Sequence, residues 1–334
     1  MRYNKIINKF FILIIYILSI FSFIFCLYNI WSIGIENITN NMILRIQLSV
    51  LGPFAIILMF PIGLSTYYWI CMIEGNRTIL IKCKSIFFTF IALVVAFFRG
   101  QRTDIVLIIM LPLLYAFDKK RKFSILIICS MWLVLFSSIY SIIFKVNTNY
   151  LGLSIFESIK NMLIGDIDRN WSYWMALSQS EIFSNNIMFT PYSGYIYTLF
   201  TFIPRGIVSF KGYSTETWFV YFMGNNFVHE WGVAGLSSIN WGLTLSGLTE
   251  GIINGGYVGI VFYSIIVGYV LKKMEILVIK YRYLTACVPL VAIILSGYTF
   301  NNIIVIYLPV IITLMIFNRR DIYNQITIRG CKCE

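Results

Sequence analysis

Apolar runs of close to twenty residues recur from one end of this chain to the other. Each, coiled as a helix, is long enough to cross a hydrocarbon core about 30 Å thick. Of 334 residues, 59% are hydrophobic and only 12% are charged, and the mean hydropathy is +0.82. That composition excludes a soluble globular domain and points to an all-α polytopic membrane protein. The first run, Phe10 to Trp31, exceeds the core of a signal peptide and lacks a small-x-small cleavage site, so it reads as a retained first span.

The net charge of +12 raises the question of nucleic acid, and its distribution argues against that partner. Segments 1–9, 74–84, 118–122, 272–282 and 318–334 hold 18 of the 26 Lys and Arg but only 5 of the 14 acids. The surplus is therefore a topology signal that puts these five segments and both termini in the cytoplasm, with contact to anionic membrane lipid as a second role. Spans are expected at about 10–31, 46–72, 85–98, 104–117, 123–144 and 252–271. Two more fall in 284–317, interrupted by Asn301-Asn302, and Gly52, Pro53, Pro61 and Gly63 are expected to bend the second span. Segments 182–204 and 231–249 are nearly free of charge and could add a pair, giving eight to ten spans. The chain thus divides into an N-terminal bundle of five spans (1–144), a long aromatic-rich outer region (145–251) and C-terminal spans with a tail (252–334). The seven cysteines all fall in expected spans or cytoplasmic segments, which leaves no disulfide framework outside.

Three groups of polar residues stand on the expected outer side. The first is Arg99-Gly100-Gln101-Arg102, at the tip between two spans. Fourteen residues rise only about 21 Å as a helix, so these two spans are expected to hold Arg99 and Arg102 at or below the lipid headgroups. Arginine in that position runs against the usual charge bias and suits an anion such as a phosphate or pyrophosphate; the alternative is a pair snorkelling to lipid phosphates. The second group is Pro204-Arg205-Gly206 followed by Lys211, an arginine on a shaped turn. The third runs from His229-Glu230 to the glycine-rich stretch 247–259. His229, the only histidine, beside a carboxylate, suits a general base. Glu250, at the membrane entry of a span, is the rival base; its alternative role is to pair with Arg99, Arg102 or Arg205.

Five of the eight tryptophans lie in the outer region, with Tyr192, Tyr195, Tyr197, Tyr213 and Tyr221. Such rings form either a platform for sugar faces, with Trp218, Trp231 and Tyr213 as candidates, or an interfacial aromatic belt. Asp166-Ile167-Asp168 is a D-x-D, a weak metal pattern that Arg169 could neutralise, and no metal site is assigned. P-loop, GxSxG, HExxH and zinc patterns are absent from the sequence.

The arginine tip, the Pro204-Arg205…Lys211 element and Glu250-x-x-x-Asn254-x-Gly256-x-x-Gly259 together resemble the O-antigen polymerases, the Wzy family, over about residues 80–275. The resemblance implies a GT-C-like helical fold in the bacterial cytoplasmic (inner) membrane. It implies a glycosyltransferase of lipopolysaccharide or related surface-polysaccharide biosynthesis, polymerising undecaprenyl-pyrophosphate-linked oligosaccharide repeat units without a cofactor. A Wzz-type chain-length regulator is the implied protein partner. In that scheme Arg99, Arg102, Arg205 and Lys211 bind pyrophosphate, and His229 or Glu250 takes the acceptor proton. The aromatic residues Trp218, Trp231 and Tyr213 would orient sugars. An O-antigen ligase and a lipid-linked oligosaccharide flippase are the alternatives; spans almost free of charge disfavour the flippase.

Overall fold

The computed structural model describes residues 2–34, 52–99, 102–120, most of 123–132, 170–179, 192–201, 212–227, 245–288 and 300–330, with isolated positions between them such as His229. Every regular element among the described residues is helical. In chain order they are α1 (Arg2–Ile33), a 3-10 segment (Gly52–Met59) running into α2 (Phe60–Ile73), α3 (Ile79–Arg99) and α4 (Arg102–Lys120). Then come α5 (Asn170–Ser178), α6 (Ser193–Leu199), α7 (Thr215–Asn226), α8 (Gly247–Lys280), a 3-10 turn (Arg282–Ala286) and α9 (Phe300–Gly330). Among the described residues, helical stretches long and apolar enough to cross a membrane are Asn8–Ile33, Ile56–Ile73, Ile79–Arg99 and Gly247–Lys280. The chain is a multi-pass helical membrane protein.

It forms two compact units. One comprises Met1–Met162, Met274–Leu290 and Ile306–Glu334; the other comprises Leu163–Lys273 and Val291–Val305. Residues 252–273 and 291–305 belong to the second unit, and 274–290 and 306–334 to the first.

In the first unit, α1 shows the polarity of a helix that faces lipid. Leu13, Ile17, Ile20, Ile24 and Leu27 are exposed, whereas Ser19, Ser22 and Asn29 are buried. In water this face would be inverted; against acyl chains aliphatic side chains belong outside, and small or polar residues serve the contacts between helices. Ser22 Oγ accordingly donates to the Ile57 carbonyl at 3.1 Å. Tyr16 reaches the Tyr68 hydroxyl and packs on Phe88, 5.6 Å between ring centres. Between α2 and α3, Thr89 Oγ1 accepts from Trp69 Nε1 at 2.9 Å and shares a 2.8 Å hydrogen bond with Ser65.

One expectation is corrected here. The spans flanking the arginine tip are not short: α3 has 21 residues and α4 has 19, rising about 32 and 29 Å. Both run past their apolar cores into the flanking charged segments, because Lys82, Lys84 and Lys119 are good helix formers. The lipid-depth argument for Arg99 accordingly falls away. In the second span, Gly52 and Pro53 open a 3-10 segment and Pro61 sits at the first turn of α2, where its missing N–H costs nothing. Gly63 lets α9 approach: a Cβ there would lie 2.7 Å from Thr313 Cβ. Asn301 and Asn302 lie in the first turn of α9, which begins at Phe300.

The turn after α8 is fastened to the bundle by side chains. Glu74 Oε1 accepts from Lys119 Nζ at 2.7 Å and from the Tyr115 hydroxyl at 2.5 Å, with Arg282 Nη2 at 3.7 Å. Asp321 Oδ2 accepts from Tyr67 at 3.1 Å and Tyr283 at 2.9 Å. Tyr281 accepts from Arg319 Nε at 2.8 Å. Partial burial pushes the Glu74 carboxyl up, but the hydrogen bonds from Lys119 and Tyr115 and the charges of Arg282 and Lys119 outweigh it, and the net shift is downward. A depressed acid stabilises the fold above its unfolded pKa and stops doing so as the pH falls through its folded value. Below pH about 4.5, wild type is therefore expected to lose stability that Glu74→Gln never had. The gap in a pH series of melting temperatures corresponds to less than about 1 kcal/mol, because the group is largely solvated. Equal acid slopes for the two proteins would refute this.

Candidate functional site

The second unit is built on a glycine break. Gly255 (φ −165°, ψ 23°) and Gly256 (φ 58°, ψ −141°) leave helical geometry inside α8. In a continuous helix residues 251 and 259 would stand about 12 Å apart. Instead a Cβ on Gly259 would overlap the Gly251 carbonyl oxygen, and a Cβ on Gly247 would overlap the Tyr263 hydroxyl. These two pairings share one centre, so α8 is a hairpin: an arm 247–254, a two-glycine turn, and a long arm 257–280. The expected span at 252–271 is corrected accordingly; only the arm after the break can cross the membrane. The sequence signal was present, since three glycines four residues apart (251, 255, 259) allow backbones to meet.

The hairpin makes a test of its own. Gly259→Ala must push the arms apart, a cost of about 1–3 kcal/mol. Gly268, whose Cβ would meet nothing within 4 Å, is the control, and alanine there is expected to stabilise by up to about 1 kcal/mol. Thermal unfolding in detergent reads both; similar melting temperatures for the two variants would rule out the close contact.

The short arm begins on a cap. Ser246 Oγ accepts from the Thr249 amide at 3.1 Å, and Glu250 follows in the first turn, only 1% exposed. Its partial neutralisation by the helix N-terminus suits an acid there. Four residues on, Asn254 joins three elements. Its Nδ2 donates to the Glu250 carbonyl at 2.8 Å and to Thr215 Oγ1 at 3.1 Å, and its Oδ1 accepts from the Gly194 amide at 2.8 Å. The Asn254 carbonyl accepts from the Tyr192 amide at 2.9 Å. Gly194 is obligatory, because a Cβ would overlap Thr215 Oγ1.

Phenols gather about this arm. Tyr263 comes back along the second arm to Gly247. Tyr195 is partly buried on α6. Burial, followed by the charges of Glu250, Tyr263 and Tyr192, pushes its pKa above the ordinary tyrosine value, so it is a proton donor at any physiological pH. A buried carboxylate near phenols can take and pass a proton, and groups of this kind concentrate at functional sites.

The expected site residues fare differently. Glu250 is buried and central. His229 is exposed, beyond the end of α7. Trp218 is not a surface platform: at 7% exposure it lies in the apolar core with Ala176, Phe219, Phe222, Met223, Leu245, Ile252 and Ile253, because α7 turns this face toward the short arm. Tyr213 is partly buried edge-on to Trp218, 6.4 Å between ring centres. Arg99 is buried, its Nε 2.6 Å from Asp104 Oδ2, with side-chain exposures of 5% and 0%. Arg102 opens α4, and its side chain lies outside the described residues, as do Arg205, Lys211, Trp231 and the Asp166/Asp168 pair. Among the described residues no three His, Cys, Asp or Glu side chains gather as metal ligands, and Cys26, Cys71, Cys83 and Cys287 are free thiols.

Sequence reasoning gave no role to Asp104 or the buried Glu216. Asp104, five residues after an arginine in an otherwise apolar context, carried a readable signal. Asn254 was legible as part of the motif with Glu250, but its junction role was not, since that depends on the backbone of α6. No family model, curated protein or solved structure matches the chain.

Proposed function

We propose that this protein is a glycosyltransferase that polymerises undecaprenyl-pyrophosphate-linked oligosaccharide repeat units on the outer face of the cytoplasmic membrane. The observation that carries the reading is Glu250, buried beside Tyr195 and Tyr263 on a hairpin formed by the glycine motif of the resemblance. In the proposed reaction a hydroxyl of the acceptor unit attacks the anomeric carbon of the growing glycan. The bond from that carbon to the pyrophosphate oxygen breaks, and its electron pair leaves with the lipid pyrophosphate. Glu250 accepts the hydroxyl proton, with Tyr195 or Tyr263 as hydrogen-bond donors to the reacting oxygens. Arg102, with Arg205 and Lys211, stabilises the charge gathering on the leaving group. Arg99, whose Nε is bonded to Asp104, serves the architecture of the tip. Burial of Glu250 and exposure of His229 favour the glutamate as base.

The test is deletion of the gene in its host, complementation with wild type or Arg102→Ala, and gel analysis of surface polysaccharide. Deletion is expected to leave core plus one repeat unit, wild type to restore the ladder, and Arg102→Ala to fail while present in the membrane. Loss of the single repeat as well would replace the polymerase with a ligase or flippase.

A further inference from the structure

Tyr192 stands out by its backbone. It is the one non-glycine residue with positive φ among the described residues (φ 65°). A left-handed conformation is unfavourable for a bulky residue and persists where its surroundings enforce it, often at functional sites. Here the enforcement is visible. The Tyr192 amide is bonded to the Asn254 carbonyl, and the next residues are drawn in by Gly194 N to Asn254 Oδ1. The Tyr192 ring lies against Gly255, where a Cβ would come within 3.0 Å of it. The strained backbone and the missing side chain at 255 together place this one ring.

One face of the ring is occupied. Tyr192 stacks on Tyr195 at 6.3 Å and 25°, and Phe262 lies edge-on to Tyr192 at 6.2 Å and tilted against Tyr195 at 5.7 Å. Tyr192 nevertheless remains 38% exposed. The stack stands one helical turn from Glu250, since Asn254, which holds Tyr192, also bonds the Glu250 carbonyl. A simple packing role would not need a strained residue that stays part exposed, and glycine would fit the backbone better.

We infer that Tyr192, backed by Tyr195 and Phe262, is the stacking surface for a pyranose ring of the acceptor, presenting its hydroxyl to Glu250. The electron-rich face of a tyrosine attracts the weakly positive C–H face of a sugar, and the sugar's edge hydroxyls then point along the ring plane. This inference rests on the polymerase reading, and it moves the sugar-orienting role from Trp218, which is buried, to Tyr192.

The experiment uses the deleted host complemented with wild type, Tyr192→Phe, Tyr192→Trp, Tyr192→Leu and Tyr192→Gly, scoring ladder length and protein in the membrane. Phe and Trp are expected to sustain the ladder. Leu, which keeps apolar bulk but has no ring, and Gly, which relieves the backbone, are expected to cut elongation about tenfold or more. Failure of wild type to restore a ladder would remove the polymerase reading. A restored wild-type ladder with a full ladder from Leu or Gly would overturn the stacking surface alone, and would mark Tyr192 as a lipid-interface anchor. As a readout independent of accumulation in cells, purified Tyr192→Trp is titrated with lipid-linked repeat unit extracted from the deletion strain. A saturable fluorescence change absent from wild type is expected, and none would overturn the inference.

Discussion

Glu250→Gln is expected to lower glycan elongation by about 10²–10⁴-fold, the range a positioned general base contributes, while leaving the protein folded in the membrane. Glutamine has the same shape and can accept a hydrogen bond, so the short arm of the hairpin, its Ser246 cap and the Asn254 junction should persist. What it cannot do is receive a proton. Glu250→Ala would confuse the two effects by leaving a hole beside Tyr195 and Tyr263. His229→Ala is the matched comparison, and is expected to change elongation less than threefold because that side chain is exposed. The measurement is the rate of polymer formation from extracted lipid-linked repeat unit by purified protein in vesicles. A Gln variant at half the wild-type rate would dismiss Glu250 as the base. A collapse at His229 alone would transfer the role there.

The second large effect concerns folding. Asp104→Ala is expected to destabilise the protein by about 3–5 kcal/mol, because it leaves the Arg99 guanidinium buried without its carboxylate. The double variant Arg99→Leu/Asp104→Leu is expected to recover most of that loss, since replacing both members of a buried ion pair with apolar groups is often neutral. Melting curves in detergent of the wild type, Arg99→Leu, Asp104→Leu and the double form a closed cycle. Additive losses in the double would show that the two residues do not act as a pair. If the double variant also polymerises, Arg99 serves the architecture of the tip and the anion falls to Arg102, as proposed above.

These two cases show what the chain's sequence makes legible. The helices were readable because a lipid core demands long apolar runs, and the basic clusters marked where they end. The arginine tip was readable as unusual, but its meaning was not. A reading by run length alone sets the apolar length of each span, whereas Ile79–Arg99 and Arg102–Lys120 continue into charged residues that propensity keeps helical. Glu250 was readable as a candidate from its place at the edge of an apolar run. The hairpin was not, because a glycine run in a span is compatible with a bend, a close crossing or a full reversal, and only the tertiary partners of Gly247 and Gly259 choose between them. Trp218 misled for a related reason: a tryptophan in a polar-looking segment buries itself when a neighbouring arm supplies a core.

The bond from Tyr67 to Asp321 spans 254 residues, and Gly63 receives Thr313 over a similar interval. At about 5–20 residues per second of synthesis, α2 waits roughly 10–50 s in the bilayer for the helix that completes it. During that interval the part of α2 that meets α9, including the polar hydroxyl of Tyr67, lacks that native cover. The protein thus matures late and all at once on this side, and a chain that stalls before residue 300 leaves an open seam for membrane proteases to find.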